Sequence, residues 1–376
     1  MEHEFTPVIL RALKNHFGDE ALDLFDKSPL LQYLNLKTVS ATRGSKARSS
    51  FANLYAVYVL VEDYIEHGFH EKGDYSQYEG VRFSNLFRRQ RQLPFGSKLQ
   101  NHALNHRMNE EFRKYFPQVD MQPILRVVET QRYWINEKLL TPSLGRRHYN
   151  LAHAIIEIID TYVKTKQKSF EGFIRTCDKL KRITGTKGRD VEDFIVGLLA
   201  PNVDARIFEI VSYAILKYFY RDQTVYFGYE LDQLEESPLK LYKTGRTNAN
   251  DGGIDFVMRP LGRFFQVTET LDVYKYFLDI DKIERYPISF VIKSEDSVGA
   301  LTAKLRQGAE RKYAVRAIVE KYMGCIEEVI NIPILRERLK SVVQQGCLTN
   351  VLEEIVKQSK LEFNYEEPEN DGEDNG

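Results

Sequence analysis

Asn250-Asp251-Gly252-Gly253-Ile254-Asp255-Phe256-Val257-Met258 is followed, after Arg259-Pro260-Leu261-Gly262, by Phe264-Phe265-Gln266-Val267-Thr268-Glu269. Two short apolar runs flank a Pro- and Gly-bearing link that favours a reversal, so the piece is predicted to be a β-hairpin. Alternation along the second strand sends Gln266 and Thr268 to one face and Phe265, Val267 and Glu269 to the other. Asp255 is an acid inside an apolar strand, where a carboxylate is seldom buried without a partner. A bound cation is one such partner. The hairpin therefore reads as half of a magnesium site, since hard cations take oxygen ligands from carboxylates, side-chain amides and carbonyls and keep several waters. The bland alternatives are an Asp that caps a turn and a Gln that satisfies a backbone group.

On these residues the chain resembles the PD-(D/E)XK nuclease superfamily, in particular its Mrr-like and type II restriction endonuclease branch. That branch carries a Gly-Gly-hydrophobic-Asp turn and strand, then a second strand with Gln-x-Lys. Asp255 and Gln266 match the first two elements, and Thr268 stands where the lysine is expected. The resemblance implies that a lysine from elsewhere fills that space. Lys275, beyond the strand, is the preferred candidate and Lys293, at the end of the strand-like Pro287–Ile292, is the other. It also implies a glutamate on the helix before the hairpin, a place that Glu209 in the apolar run 205–216 fits. The similarity covers roughly residues 200 to 295.

The rest of the chain sets limits. At 376 residues two domains are the prior. No apolar stretch approaches the roughly 20 residues of a membrane span, and Met1-Glu2-His3-Glu4-Phe5 lacks the layout of a signal peptide, so a cytosolic protein is expected. Cys177, Cys325 and Cys347 are widely separated and show no paired zinc spacing, which predicts reduced, partly buried thiols. No complete phosphate-binding loop, nucleophile elbow or internal repeat is present, which argues against nucleotide triphosphate binding and serine hydrolase chemistry.

Net charge is −1, but its distribution is uneven. From Lys37 to Arg147 there are 18 Lys and Arg against 11 Asp and Glu, whereas Glu362 to Gly376 carries seven acids and no base. The first segment suits a polyanion and the second reads as a solvated, disordered tail. Most of the first 200 residues read as helical, including a buried helix over 51–65 capped at Ser49 or Ser50. Its approach offers Arg43, Lys46 and Arg48 to phosphate. A second basic stretch holds Arg88, Arg89, Arg91 and Lys98, followed by a helix with Asn101, Asn105, Arg107 and Asn109. Arg pairs with guanine, and Asn with adenine, through two hydrogen bonds each in the major groove. His102 and His106 stand one helical turn apart without an accompanying zinc motif. Farther on, the basic piece 179–189 leads to Asp190 as a helix cap, and 302–323 and 334–358 are expected to be helical.

The sequence thus predicts an α/β protein: a mainly helical DNA-recognition region over 1–180, a PD-(D/E)XK core with a central mixed β-sheet flanked by helices over 181–361, and an acidic tail over 362–376. The resemblance implies a homodimeric type II restriction endonuclease that uses Mg²⁺ to hydrolyse duplex DNA at a specific site. Asp255, Gln266 and Glu209 would be its metal ligands and Lys275 its catalytic cation. Two alternatives stay open: a modification-dependent nuclease, and a DNA-binding protein on a nuclease core that has lost activity.

Overall fold

The computed structural model describes residues 2–39, 47–71, 74–97, 99–183, 188–244, 254–269 and 273–363. The chain forms two compact units, Met1–Phe173 and Ile174–Gly376. The division falls inside the helix Ala152–Ile183, a few residues ahead of the expected boundary. The tail from residue 364 onward lies outside the described residues.

The first unit is mainly helical, as its sequence predicts, with small sheets added. Helix Ala47–Glu66 supplies Leu54, Tyr55, Val57 and Val61 to a core shared with Tyr33, Phe112 and Tyr162. That helix begins before Ser49 and Ser50, so both serines lie within it and neither is its cap. Strands Val81–Arg82, Ile124–Val127 and Arg132–Ile135 form a three-stranded sheet that polarity had hidden. Helix Ala152–Ile183 takes in residues 179–183 of the basic piece that precedes Asp190. In the second unit Asp190 sits in the first turn of a helix that begins at Gly188, not at its cap.

The core of the second unit starts with helix α1, Ala205–Phe219, whose first turn is capped by Asp204 accepting from the Arg206 N–H at 2.8 Å. Nine of its side chains are buried, because α1 is covered by later helices and by the first strand of the sheet. That strand is β1, Lys240–Lys243; β2, Phe256–Arg259, and β3, Arg263–Thr268, complete an antiparallel meander. The β2–β3 turn closes through Gly262 at φ 67, a conformation costly for any residue with a Cβ. The hairpin thus forms where the sequence placed it, although the Gly252-Gly253 pair lies outside the described residues.

Helix α2, Val273–Lys282, then crosses over so that β4, Ile288–Ile292, lies parallel to β3. All five β4 residues are buried, which explains a continuous apolar run without alternation. Helices α3, Val298–Lys312, and α4, Arg316–Gly324, lead to β5, Ile326–Ile330, parallel to β4. Helices α5, Ile332–Gln344, and α6, Leu348–Phe363, end the described chain. The sheet order is β5-β4-β3-β2-β1, mixed in direction. Each expected long C-terminal helix is in fact two, and β5 separates the pairs. Tyr276, Phe277, Leu301, Leu305 and Tyr322 of α2–α4 pack against Ile288, Phe290 and Ile292. On the other face Tyr213 of α1 and Tyr220, just past its end, lie against Phe256 and Phe265, at ring separations of 5.2 and 6.3 Å. The result is a mixed sheet between two helical layers.

Candidate functional site

Strand ends bring charged groups together at one end of this sheet. Asp255 immediately precedes β2 and is bonded on both sides: Thr244 N–H donates to its carbonyl at 3.0 Å, and its own N–H donates to the Phe265 carbonyl at 2.9 Å. Its carboxylate Oδ2 accepts the Val267 N–H at 2.7 Å. Asp255 is 6% exposed. Burial, reinforced by the negative charge of Glu209, pushes its carboxyl up to about 8, against the opposing pull of the Val267 N–H and of Lys243 and Lys275.

Glu209 approaches from α1, where it is half-buried, and its carboxylate pairs with Lys243 Nζ at 2.8 Å. Lys243 ends β1, opposite Phe256. The sequence gives no hint of its importance, because one lysine at the end of a short strand carries no pattern. Its significance depends on the pairing of β1 with β2.

Gln266 and Thr268 are buried on β3. Phe264 packs with the α2–α4 cluster and Phe265 against Tyr220 at the end of α1, so alternation directs Gln266 and Thr268 to the α2 side. The Gln266 amide donates to the Val267 carbonyl at 3.2 Å. Its Oε1 is buried with no hydrogen-bond partner among the described residues. A buried carboxylate whose charged form is penalised, and on the neighbouring strand a buried amide oxygen without a partner among the described residues, are each oxygen donors of the kind a hard cation takes. Asp255 is the acid that could hold such a cation; Glu209 comes to it from α1, whereas Gln266 lies on the α2 side of the sheet. Among the described residues no three His, Cys, Asp or Glu side chains are grouped to hold a metal.

The two lysines proposed to replace the missing one differ. Lys275 is exposed in the first turn of α2 and acts on Asp255 through its charge. Lys293 is buried at the end of β4, donating to the Val203 carbonyl and pairing with Glu269 at 2.8 Å. Its side chain ties β3 and β4 to the approach of α1.

The basic positions of the first unit also divide. Arg43, Lys46 and Lys98 lie outside the described residues, as does the side chain of Arg48. Arg89 donates to both carboxylate oxygens of Glu62, each at 2.7 Å. Asn105 accepts from the Tyr133 hydroxyl at 2.9 Å, and buried Asn109 bonds both backbone groups of Ile124. These three are engaged within the fold. Arg88, Arg91 and Arg107 are exposed and Asn101 is half-buried, although Arg91 Nε donates to the Ser97 carbonyl at 2.9 Å. His102 and His106 meet edge to face at 5.8 Å. The cysteines are all buried and free, as expected. Among the described residues no helix is long and apolar enough to cross a membrane. Compared with models of protein families, with curated proteins and with solved structures, the chain matches none.

Proposed function

We propose that this chain is a Mg²⁺-dependent deoxyribonuclease of the PD-(D/E)XK type, acting as a homodimeric type II restriction endonuclease on duplex DNA at a specific sequence. The observation that carries the reading is the buried carboxylate of Asp255, set against Glu209 of the preceding helix at the end of a mixed sheet. Such a carboxylate, held by one backbone N–H and crowded by a second acid, is suited to a divalent cation. Bound magnesium would polarise a phosphoryl oxygen and make a bound water more acidic. Asp255 would hold the ion, Glu209 would hold its waters or complete its shell, and Gln266 would orient one water through its free Oε1. The attacking water oxygen bonds to phosphorus as the bond to the leaving oxygen breaks. One proton passes from that water to solvent and another from solvent to the leaving oxygen.

Supercoiled plasmid of mixed sequence, incubated with the purified protein in Mg²⁺ or Mn²⁺, is expected to be cut to discrete fragments and to stay intact in EDTA. Binding to duplex DNA without nicking in either ion would favour the second reading, a DNA-binding protein on an inactive nuclease core. Thr268 at the expected lysine position is the feature that favours it. Fragments only from methylated plasmid would point to a modification-dependent enzyme.

DNA contact is assigned to the exposed cations of the first unit. Replacing Arg88 and Arg91 by Ala should flatten the salt dependence of binding, by roughly 0.9 in slope for each phosphate that is no longer neutralised. Arg89→Ala should instead lower thermal stability, because it leaves Glu62 unpaired. Fluorescence anisotropy over a range of KCl concentrations measures the first effect, and an unchanged slope would make these residues ordinary solvated surface.

A further inference from the structure

We infer that Lys243, at the end of β1, is the cation of this site that contacts the scissile phosphate, in place of the lysine that Thr268 displaces. The inference rests on the nuclease reading. Its ground is position. Lys243 Nζ is held 2.8 Å from Glu209 Oε1, and both side chains are largely covered. The residue after it, Thr244, donates its N–H to the Asp255 carbonyl at 3.0 Å and its hydroxyl to the Ile254 carbonyl. Two backbone-directed bonds therefore fix the end of β1 to the segment that carries the metal-binding acid. Lys243 is thereby placed by sheet pairing, a more rigid support than the exposed first turn of α2 that carries Lys275. Lys293 has the burial but spends its ammonium group on Glu269 and on the Val203 carbonyl.

The chemistry needs a cation that does not leave with the metal. As water oxygen bonds to phosphorus and the bond to the leaving oxygen breaks, charge grows on the phosphoryl oxygens, and a fixed ammonium donating to one of them lowers the barrier. The protons exchanged are those of water. The Lys243–Glu209 pair would weaken if Glu209 were drawn to a divalent cation, and the ammonium N–H donors of Lys243 would then be free to turn to substrate. Lys243 and the cation then compete for one carboxylate in the resting protein. Removing the ammonium should ease cation binding even as it removes catalysis, an outcome opposite to that of deleting a ligand.

Plasmid cleavage and the rise in melting temperature with Ca²⁺, a cation used here as a binding probe, are compared for wild type, Lys243→Ala, Lys243→Arg, Lys275→Ala and Lys240→Ala. Lys240, at the opposite end of β1, is the control and should cut as wild type does. Lys243→Ala should lose about 10²–10³-fold in cleavage rate, keep the Ca²⁺-induced rise at an equal or lower Ca²⁺ concentration, and regain part of the activity as Lys243→Arg. Cleavage by Lys243→Ala within a few-fold of wild type, or a larger loss at Lys275 than at Lys243, would overturn the assignment while the nuclease reading stands. Loss of the Ca²⁺ response together with activity would also overturn it, since Lys243 would then only position Glu209. A wild-type protein that responds to Ca²⁺ but never cuts in Mg²⁺ or Mn²⁺ would overturn both.

Discussion

Asp255→Ala should lower the rate of plasmid cleavage by about 10³-fold or more, roughly 4 kcal/mol of barrier, while duplex binding stays within a few-fold of wild type. The asymmetry follows from where the residue sits. Asp255 is 6% exposed and bonded to β3, so it offers no surface to the DNA backbone beyond what a cation carries for it. Deleting it removes the charge that would hold that cation and leaves the exposed arginines of the first unit untouched. Gln266→Ala should cost less, because a neutral amide contributes less than a carboxylate to holding a divalent ion. Single-turnover cleavage and anisotropy binding in Ca²⁺ separate the two quantities. Wild-type cleavage by Asp255→Ala would reject the residue as the ligand, and a larger loss at Gln266 would reverse the proposed roles.

The same carboxyl should limit the stability of the metal-free protein. Burial and Glu209 raise it from the ordinary carboxylate range to about 8, so the folded chain holds this proton more tightly than the unfolded chain does. A group raised in this sense loses stabilisation as pH climbs. The loss begins above the unfolded value, proceeds at up to about 1.4 kcal/mol per pH unit, and levels off once pH passes the folded value. Asp255→Asn keeps the shape, cannot ionise and should flatten this decline. In EDTA near pH 8 it should melt several degrees above wild type, at roughly 2–4 °C for each kcal/mol in a domain of this size. The order should invert with Ca²⁺, which stabilises wild type by binding the ionised form and has less to bind in the variant. Melting curves from pH 5 to 9 in EDTA check the sign. A wild type that gains stability toward pH 8 relative to Asp255→Asn would show that the carboxylate is already well compensated without metal.

What is legible in the chain is local. The β2–β3 hairpin is encoded within a few residues by its apolar runs and by Gly262, and α1 by its long apolar stretch after Asp204. The site as a whole is not local. Lys243 meets Glu209 only because β1 pairs with β2 and α1 lies against β1, a pairing that no spacing announces. Arg89 illustrates the opposite error: in sequence it belongs to a basic run, but Glu62, on the preceding long helix, accepts from both N–H groups, Nε and Nη2, on one edge of its guanidinium. The strand Ile326–Ile330 escapes a reading of the sequence because Glu327 and Glu328 interrupt it. In the folded chain Arg263 and Arg338 bond Glu328, and Arg263 also pairs with Glu327, which makes a strand of an otherwise improbable segment.

β4 and β1 differ in how firmly the sheet holds them. β4 has a parallel partner on each side and no exposed residue, whereas among the described residues β1 is an edge strand joined to β2 alone, with Lys240 and Tyr242 open to solvent. Opening free energies in a native protein follow such differences, and edge segments come apart well before the centre does. The charges of the site are therefore anchored on strands of unequal persistence. Asp255 is tied to the inner part of the sheet, but Lys243 travels with the edge. Fraying of β1 alone would part them, so mild denaturant can silence the site while the amides of β4 still resist exchange with solvent.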